Sequence, residues 1–378
     1  MRKLFRQIHL VLGLLSGIVL IVVCLTGCIY IFKDEIEAAS EPFRKVKIEN
    51  SEWTKPAQLI AIANEKTGLE SPSAVMIGPK GEASYVEYAL PEGYMIKTYH
   101  NPYTGNVIKV KETHREDFDF FSWILRGHRS LWLPTPLGKY VVSYSVLIFL
   151  ITLLTGLFLW VPRRITRKSL RNSLKVKWPI KGYKGWHDLH NILGFYCLLP
   201  LIVASVTGLI YGIPWFSQGL YSLLSGGEKL EEWTLPQSTI VPDSTNSAIS
   251  LDKLYNLVTK ESPEAEQLYF ALPRDSSDCY RVSVVHQMGS YYKQDNLFFN
   301  QYTLKELKGT GPWAGHYQGG SNADKIFHMT LDLHEGRVFG IVGRIIMFFA
   351  SLVGASLPIT GFILWRRRTV KGRNKSLI

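Results

Sequence analysis

Cysteine is scarce, with four residues in a chain of 378, too few for a disulfide scaffold. Cys24, Cys28 and Cys197 fall inside apolar runs, where a small packing role is expected, and Cys279 has no partner outside those runs. Nucleotide signatures are also missing. No Gly-x-x-x-x-Gly-Lys-Ser/Thr segment occurs, no Gly-x-Gly-x-x-Gly follows a strand pattern, and His-Glu-x-x-His is absent. No site for a nucleoside triphosphate, a flavin, NAD(P)H or a protease zinc is therefore apparent. Charged residues make up 20% against 46% hydrophobic, and the mean hydropathy is +0.04. Such a chain is neither disordered nor a comfortable soluble enzyme.

What is present is four runs long enough for a bilayer, which takes roughly 20 apolar residues: Ile8 to Phe32, Tyr140 to Pro162, Ile192 to Trp215 and Val338 to Trp365. The first three hold no charged residue, and the fourth holds only Arg344. The formal charge of +12 gathers beside these runs. Segments 1–7, 163–189 and 366–378 carry 18 of the 43 basic residues and one of the 31 acids, Asp188, which leaves 25 bases against 30 acids elsewhere. The basic excess is thus topological, placing both termini in the cytoplasm against anionic lipid and removing the main argument for nucleic-acid binding. The first run follows a basic leader but exceeds 20 residues without a small-residue cleavage site, so it reads as a retained anchor. The expected order is a leader and first span (1–32), a periplasmic domain (33–139), a span (140–162), a basic cytoplasmic loop (163–189), a span (190–215), a second periplasmic domain (216–337), a span (338–365) and a basic tail (366–378).

The chain repeats itself. His9 to Gly13, Thr26-Gly27 and Tyr30 recur 181 residues later as His190 to Gly194, Thr207-Gly208 and Tyr211. Gly138, Lys139, Thr155-Gly156, Trp160 and Arg163 recur 205 residues later as Gly343, Arg344, Thr360-Gly361, Trp365 and Arg368. Each copy reads as span, α+β domain, span, so the expected fold is a four-span helix bundle of two tandem repeats, each with a small extracytoplasmic module. Helical spacing over Lys55 to Thr67 precedes strand patterns at Ala74 to Ile77 and Ala83 to Tyr88 and a turn at Asn101 to Gly105. The second module follows suit, with a helix over Leu251 to Lys260, strands at Gln267 to Leu272 and Tyr280 to His286, and Asn300-Gln-Tyr-Thr303.

Several motifs stand together: His9 with Gly13 and Leu25-Thr-Gly27; His128-Arg-Ser-Leu-Trp-Leu-Pro134; Asp188-Leu-His190 with Gly194; and Leu333-His-Glu-Gly336 followed by Ala350 to Gly361 and Trp365. With them the chain resembles, over nearly its whole length, the PepSY-associated transmembrane family of iron-regulated inner-membrane proteins, with PepSY-like domains outside the membrane. Members include haem-containing reductases that release iron from siderophores in the periplasm. The resemblance implies a bacterial inner-membrane oxidoreductase.

Of ten histidines, four stand at duplicated or motif positions: His9, His190, His128 and His334. Imidazole suits iron, and a haem in a helix bundle takes one axial His from each of two helices. A lone His at an interface more often anchors a helix end, but paired ligand sets explain the duplication. Two b-type haems are expected, one on His9 and His190 and one on His128 and His334, with His187 as reserve ligand. Gly13 and Gly17, and Gly336 and Gly340, offer room for a macrocycle or for close helix packing, and Gly194 is the duplicate of Gly13. Lys139 and Arg344 would meet haem propionates or lipid phosphates. The four Thr-Gly pairs are assigned to helix packing alone. His100, His114, His286, His316 and His328 are expected to be surface or structural. Phe118 to Trp123, Trp132, Tyr291-Tyr292, Phe298-Phe299 and Trp313 could form a docking cavity or simply core.

The expected activity is transfer of electrons from quinol or a cytoplasmic reductase through the haems to a ferric siderophore. Two other classes stay open: a non-enzymatic PepSY-type regulator that restrains peptidases, and a transport-associated module, which the parallel repeats disfavour.

Overall fold

The computed structural model describes residues 1–175, 180, 182–239 and 250–375, with the backbone alone at 172 and 370–375. Lys177, Lys181 and the side chains of Lys371, Arg373 and Lys375, counted above in the basic segments, lie outside the described residues. The helices in chain order are α1 (Arg2–Tyr30), α2 (Lys33–Ser40), α3 (Pro56–Thr67), α4 (Phe120–Ser130), α5 (Leu137–Trp160), α6 (Arg167–Ser173) and α7 (Gly182–Tyr196). They continue as α8 (Leu198–Gly212), α9 (Pro214–Ser225), α10 (Leu251–Glu261), α11 (Asn322–His328), α12 (Thr330–Glu335) and α13 (Gly340–Lys375). The strands are β1 (Ala74–Ile77), β2 (Ser84–Ala89), β3 (Tyr94–His100), β4 (Val107–His114), β5 (Gln267–Ala271), β6 (Cys279–Val285), β7 (Gln294–Asn300) and β8 (Glu306–Leu307). They fall into a helical unit of Met1–Lys33, Asp119–Gly219 and Thr330–Ile378, and a sheet unit of Asp34–Phe118 and Leu220–Met329.

In the helical unit α1, α5 and α13 are each long and apolar enough to cross a bilayer. The run expected as the third span consists of two helices, α7 and α8, bent by 60° at Cys197. Pro200 lies just beyond the break. It has no N–H for the Tyr196 carbonyl, and its ring clashes with that carbonyl in a continuous helix. Four apolar crossings result if the bent pair counts as one. Leu20, Cys24, Phe149, Leu153, Leu201, Ala355 and Leu357 form the apolar core between these helices, and all four cysteines are free. The rings of Trp160 and Phe195, stacked 3.7 Å apart, join α5 to α7.

The sheet unit departs from expectation in one respect. The two segments expected as separate modules share one antiparallel sheet, in the order β4-β3-β2-β1-β5-β6-β7-β8. Each half is a meander, and β1 joins β5 with Ala74 opposite Ala271 and Ile77 opposite Leu268. Every residue of β1 is buried, so a solitary module would expose an apolar edge that invites foreign strands. Pairing the two halves removes it. The outer strand β4 is mostly exposed and carries Lys109 and Lys111, and β8 is two residues long; both devices discourage edge pairing. Leu59 and Ala63 of α3 and Leu254 and Val258 of α10 are buried in the core with Val75, Val86, Phe270 and Val282 of the sheet. The duplicated turns both use an asparagine carboxamide: Asn101 accepts the N–H of Tyr103 and Asn300 that of Tyr302, each at 2.8 Å. Gly105 takes a positive φ of 75° after the first, and Leu304 one of 53° after the second.

Candidate functional site

The helical unit brings the four singled-out histidines into two pairs. His9 of α1 and His190 of α7 have ring centroids 6.2 Å apart with planes crossing at 88°. His128 of α4 and His334 of α12 have centroids 6.0 Å apart and planes at 76°. The helices bearing the second pair were not foreseen. Asp119 starts α4 by accepting the N–H of Ser122 at 2.8 Å, and a left-handed Leu131 ends it. Along α1, His9 lies 17 residues from Thr26, which touches His128. At about 1.5 Å per residue the two pairs stand roughly 25 Å apart, close to the thickness of a bilayer core.

Each ring is held by one of the Thr-Gly pairs. Nδ1 of His9 lies 3.1 Å from Thr155 Oγ1, that of His128 3.3 Å from Thr26, that of His190 2.8 Å from Thr360 and that of His334 2.9 Å from Thr207. The adjacent glycine makes the space. A Cβ added to Gly156, Gly27, Gly361 or Gly208 would lie 3.2 to 3.6 Å from Cε1 of its histidine. Assigning these pairs to helix packing alone was therefore incomplete.

Hydrogen-bond accounting fixes the tautomer. A threonine hydroxyl has one proton, and each of the four spends it on its own helix: Thr26 on Val22 at 2.7 Å, Thr155 on Thr152 at 2.9 Å, Thr207 on Val203 at 2.7 Å and Thr360 on Ser356 at 3.0 Å. The hydroxyl oxygen must then accept from the ring. A backbone carbonyl three residues before the threonine accepts as well, from His9 at Thr152 (3.1 Å) and from His128 at Val23 (2.9 Å). The backbones of Leu357 and Ala204 fill this place for His190 and His334. A carbonyl can only accept, so Nδ1 carries the proton in all four rings and Nε2 keeps its lone pair.

Those pairs fit a haem better than a bare metal. Among the described residues no three His, Cys, Asp or Glu side chains are grouped to hold a metal ion, whereas a porphyrin supplies four equatorial nitrogens and leaves two axial places for imidazole. Two imidazoles bound to one metal through bonds of about 2.0–2.1 Å would hold their centroids roughly 6 Å apart, as both pairs do. A cavity of about 770 Å³ opens at His9 and His190, within the range of roughly 300–1,000 Å³ typical of cofactor sites. Gly13 and Gly194 line it, while Gly17, whose Cβ would sit 3.0 Å from Pro358, serves helix contact. Arg2, Arg6, Arg163 and Arg368 also line it and supply charge for anionic groups. His187 faces the same cavity but is half exposed, with Asp188 at 3.6 Å and no Thr-Gly partner.

Arg344 is otherwise engaged. Its guanidinium donates to the Ile31 carbonyl, through Nε at 3.1 Å and through Nη2, and lies 5.3 Å over the ring of Phe32. It therefore closes the end of α1. Its counterpart Lys139 is partly exposed and makes no side-chain hydrogen bond or ion pair among the described residues.

The remaining histidines belong to the sheet unit. His100 is buried between the Gly105 carbonyl (2.9 Å) and the Thr98 hydroxyl (2.8 Å). Asp295 accepts from Nε2 of His286 at 2.9 Å, Nδ1 of His316 at 3.1 Å and the N–H of Tyr317 at 2.9 Å. Burial alone would push its carboxyl up, and these donors hold it below the usual range. His316 and the buried His328 line a separate cavity of about 420 Å³. Of the aromatics considered for docking, Phe298 and Phe299 are buried in the sheet and Phe121 in the helical unit, so these three are core.

The sequence model of the PepSY-associated TM region matches residues 6–368, and the chain belongs to that family. No curated protein sequence matches it.

Proposed function

From that membership and the two imidazole pairs, we propose that the chain is an inner-membrane electron-transfer protein holding two b-type haems and reducing a ferric siderophore in the periplasm. The observation that carries this reading is the pairing itself: four rings from four helices, each with Nδ1 committed and, among the described residues, no hydrogen bond at Nε2. Bound between such rings, haem iron supplies one-electron ferric/ferrous chemistry. His9 and His190 hold the donor-side group and His128 and His334 the acceptor-side group. Arg2, Arg6, Arg163 and Arg368 neutralise propionates at the first site. The basic leader, loop and tail set the topology, with four spans, both termini in the cytoplasm and the sheet unit outside. Quinol suits the donor role, because the chain lacks a nucleotide signature and an alternative donor must be a separate cytoplasmic reductase. One quinol gives two electrons and releases two protons, enough for two ferric ions.

The test is a visible spectrum of the detergent-solubilised protein, oxidised and dithionite-reduced, with a pyridine-haemochrome count. Two b-type haems per chain are expected, falling to one in His9→Ala, His190→Ala, His128→Ala or His334→Ala and unchanged in His286→Ala. A protein without a Soret band after expression with haem precursor would refute the reading and leave the peptidase-regulating or transport role.

A further inference from the structure

The four Thr-Gly pairs show more than a fit to imidazole. Other buried hydroxyls in the helical unit, among them Ser16, Ser143 and Ser205, also bond a carbonyl one turn back, at 3.0, 2.7 and 2.7 Å. That is the ordinary habit of such residues in apolar helices. Among the described residues none of these three hydrogen-bonds a histidine ring, whereas Thr26, Thr155, Thr207 and Thr360 each do. The same three parts recur four times on four helices: a hydroxyl whose proton is spent, a carbonyl three residues earlier, and a following glycine against Cε1.

We infer that Thr26, Thr155, Thr207 and Thr360 are positioning residues that select Nε2 as the ligating nitrogen and set its donor strength. The inference rests on the haem reading. The partner that Nδ1–H meets controls how much electron density the ring passes to a metal, and a carboxylate partner makes the ring the strongest base. At all four positions the acceptors are neutral, a hydroxyl and a carbonyl, so the ligands stay neutral imidazoles and the ferric state gains little extra stabilisation. Removing the hydroxyl leaves Nδ1–H with the carbonyl alone and weakens the ring as a donor, which raises the reduction potential of that site. Replacing it with a carboxylate strengthens the ring and lowers the potential. The contacts at Thr360 and Thr207, 2.8 and 2.9 Å, are shorter than those at Thr155 and Thr26, 3.1 and 3.3 Å. His190 and His334 are thus the more sensitive ligands.

The experiment is a potentiometric titration with low-temperature EPR of wild type, Thr360→Val, Thr360→Ser and Thr360→Asp, each after a haem count. With two haems retained, Thr360→Val should raise one midpoint and shift the EPR signal of that haem, leaving the other unmoved. Thr360→Ser, which keeps the oxygen, should match wild type, and Thr360→Asp should lower the same midpoint. Should the Asp variant fail to fold, the contrast of Val with Ser still decides. Midpoints and EPR signals unchanged in Thr360→Val, or equally shifted in Thr360→Val and Thr360→Ser, would overturn the inference while leaving the haem reading intact. A wild-type protein without haem overturns both, and is recognised before any variant is compared.

Discussion

Asp295 is the residue of the sheet unit whose surroundings make the sharpest pH statement. Its carboxylate, the pKa lowered by the donors around it, strengthens the fold above the ordinary carboxylate range and loses that effect as pH falls through the lowered value. For His316, partial burial alone would lower the imidazole pKa, but the hydrogen bond and charge of Asp295, with Glu306 beyond, raise it overall. A raised imidazole contributes fully below its ordinary range and loses that contribution as pH rises through the raised value. The thermal midpoint of wild type should therefore exceed that of His316→Gln at pH 5.5, with the gap closing by pH 8.5. A gap that stays constant across this range would show that the Asp295 contact is not electrostatic. Neither this cluster nor the threonine contacts were legible in the sequence. His9 and His190 announce themselves through a common offset, but a threonine followed by glycine in an apolar run also describes plain helix packing. Thr360 and His190 are 170 positions apart, a pairing that only the packed bundle creates.

The elements carrying the second histidine pair depend on two duplicated glycines. Gly138 opens α5, and a Cβ there would fall 2.2 Å from the carbonyl oxygen of Ser130, two residues after His128. Gly343 near the start of α13 stands in the same relation to Gly336, two residues after His334, at 2.1 Å. Each glycine lets the chain after a histidine-bearing helix lie directly on the next long helix. Backbone cannot yield as a side-chain tip can, so Gly343→Ala must displace the end of α12, at a cost of about 1–3 kcal/mol. We expect a lower melting temperature and, on the proposed haem reading, a haem at His128 and His334 lost or spectrally altered with that at His9 and His190 retained. Equal loss of both haems, or of neither, would contradict this assignment. The repeat at offset 205 marked these glycines without revealing what they approach. Long apolar runs and the α3, α10, β1 and β5 patterns were legible because one period dominates each. The bend at Cys197 was written in the sequence too, in Pro200 just beyond it, but an apolar run of adequate length hid it. Helices α4 and α12, of eleven and six residues, are too short for periodicity to separate from loop.

At the scale of the whole molecule, the duplication does not yield two independent modules. Within the helical unit, the first copy supplies His9 and His128 and cradles them with its own Thr155 and Thr26, while the second supplies His190 and His334 with Thr360 and Thr207. Every pair consequently takes one ring from each copy. Within the sheet unit, independently, β1 of the first copy pairs with β5 of the second. On the proposed haem reading a single copy would hold two one-sided ligands, and it would leave the apolar edge of β1 open; both defects are repaired only by the other copy. Fragments 1–175 and 182–378, expressed separately, should each lack the spectrum of an iron held by two histidines and aggregate through the exposed edge. Expressed together they should co-purify, with haem in the ratio of the intact chain. A bis-histidine spectrum from either fragment alone at low concentration, where self-pairing is suppressed, would mean that one copy completes a site by itself, and the mutual dependence argued here would fail.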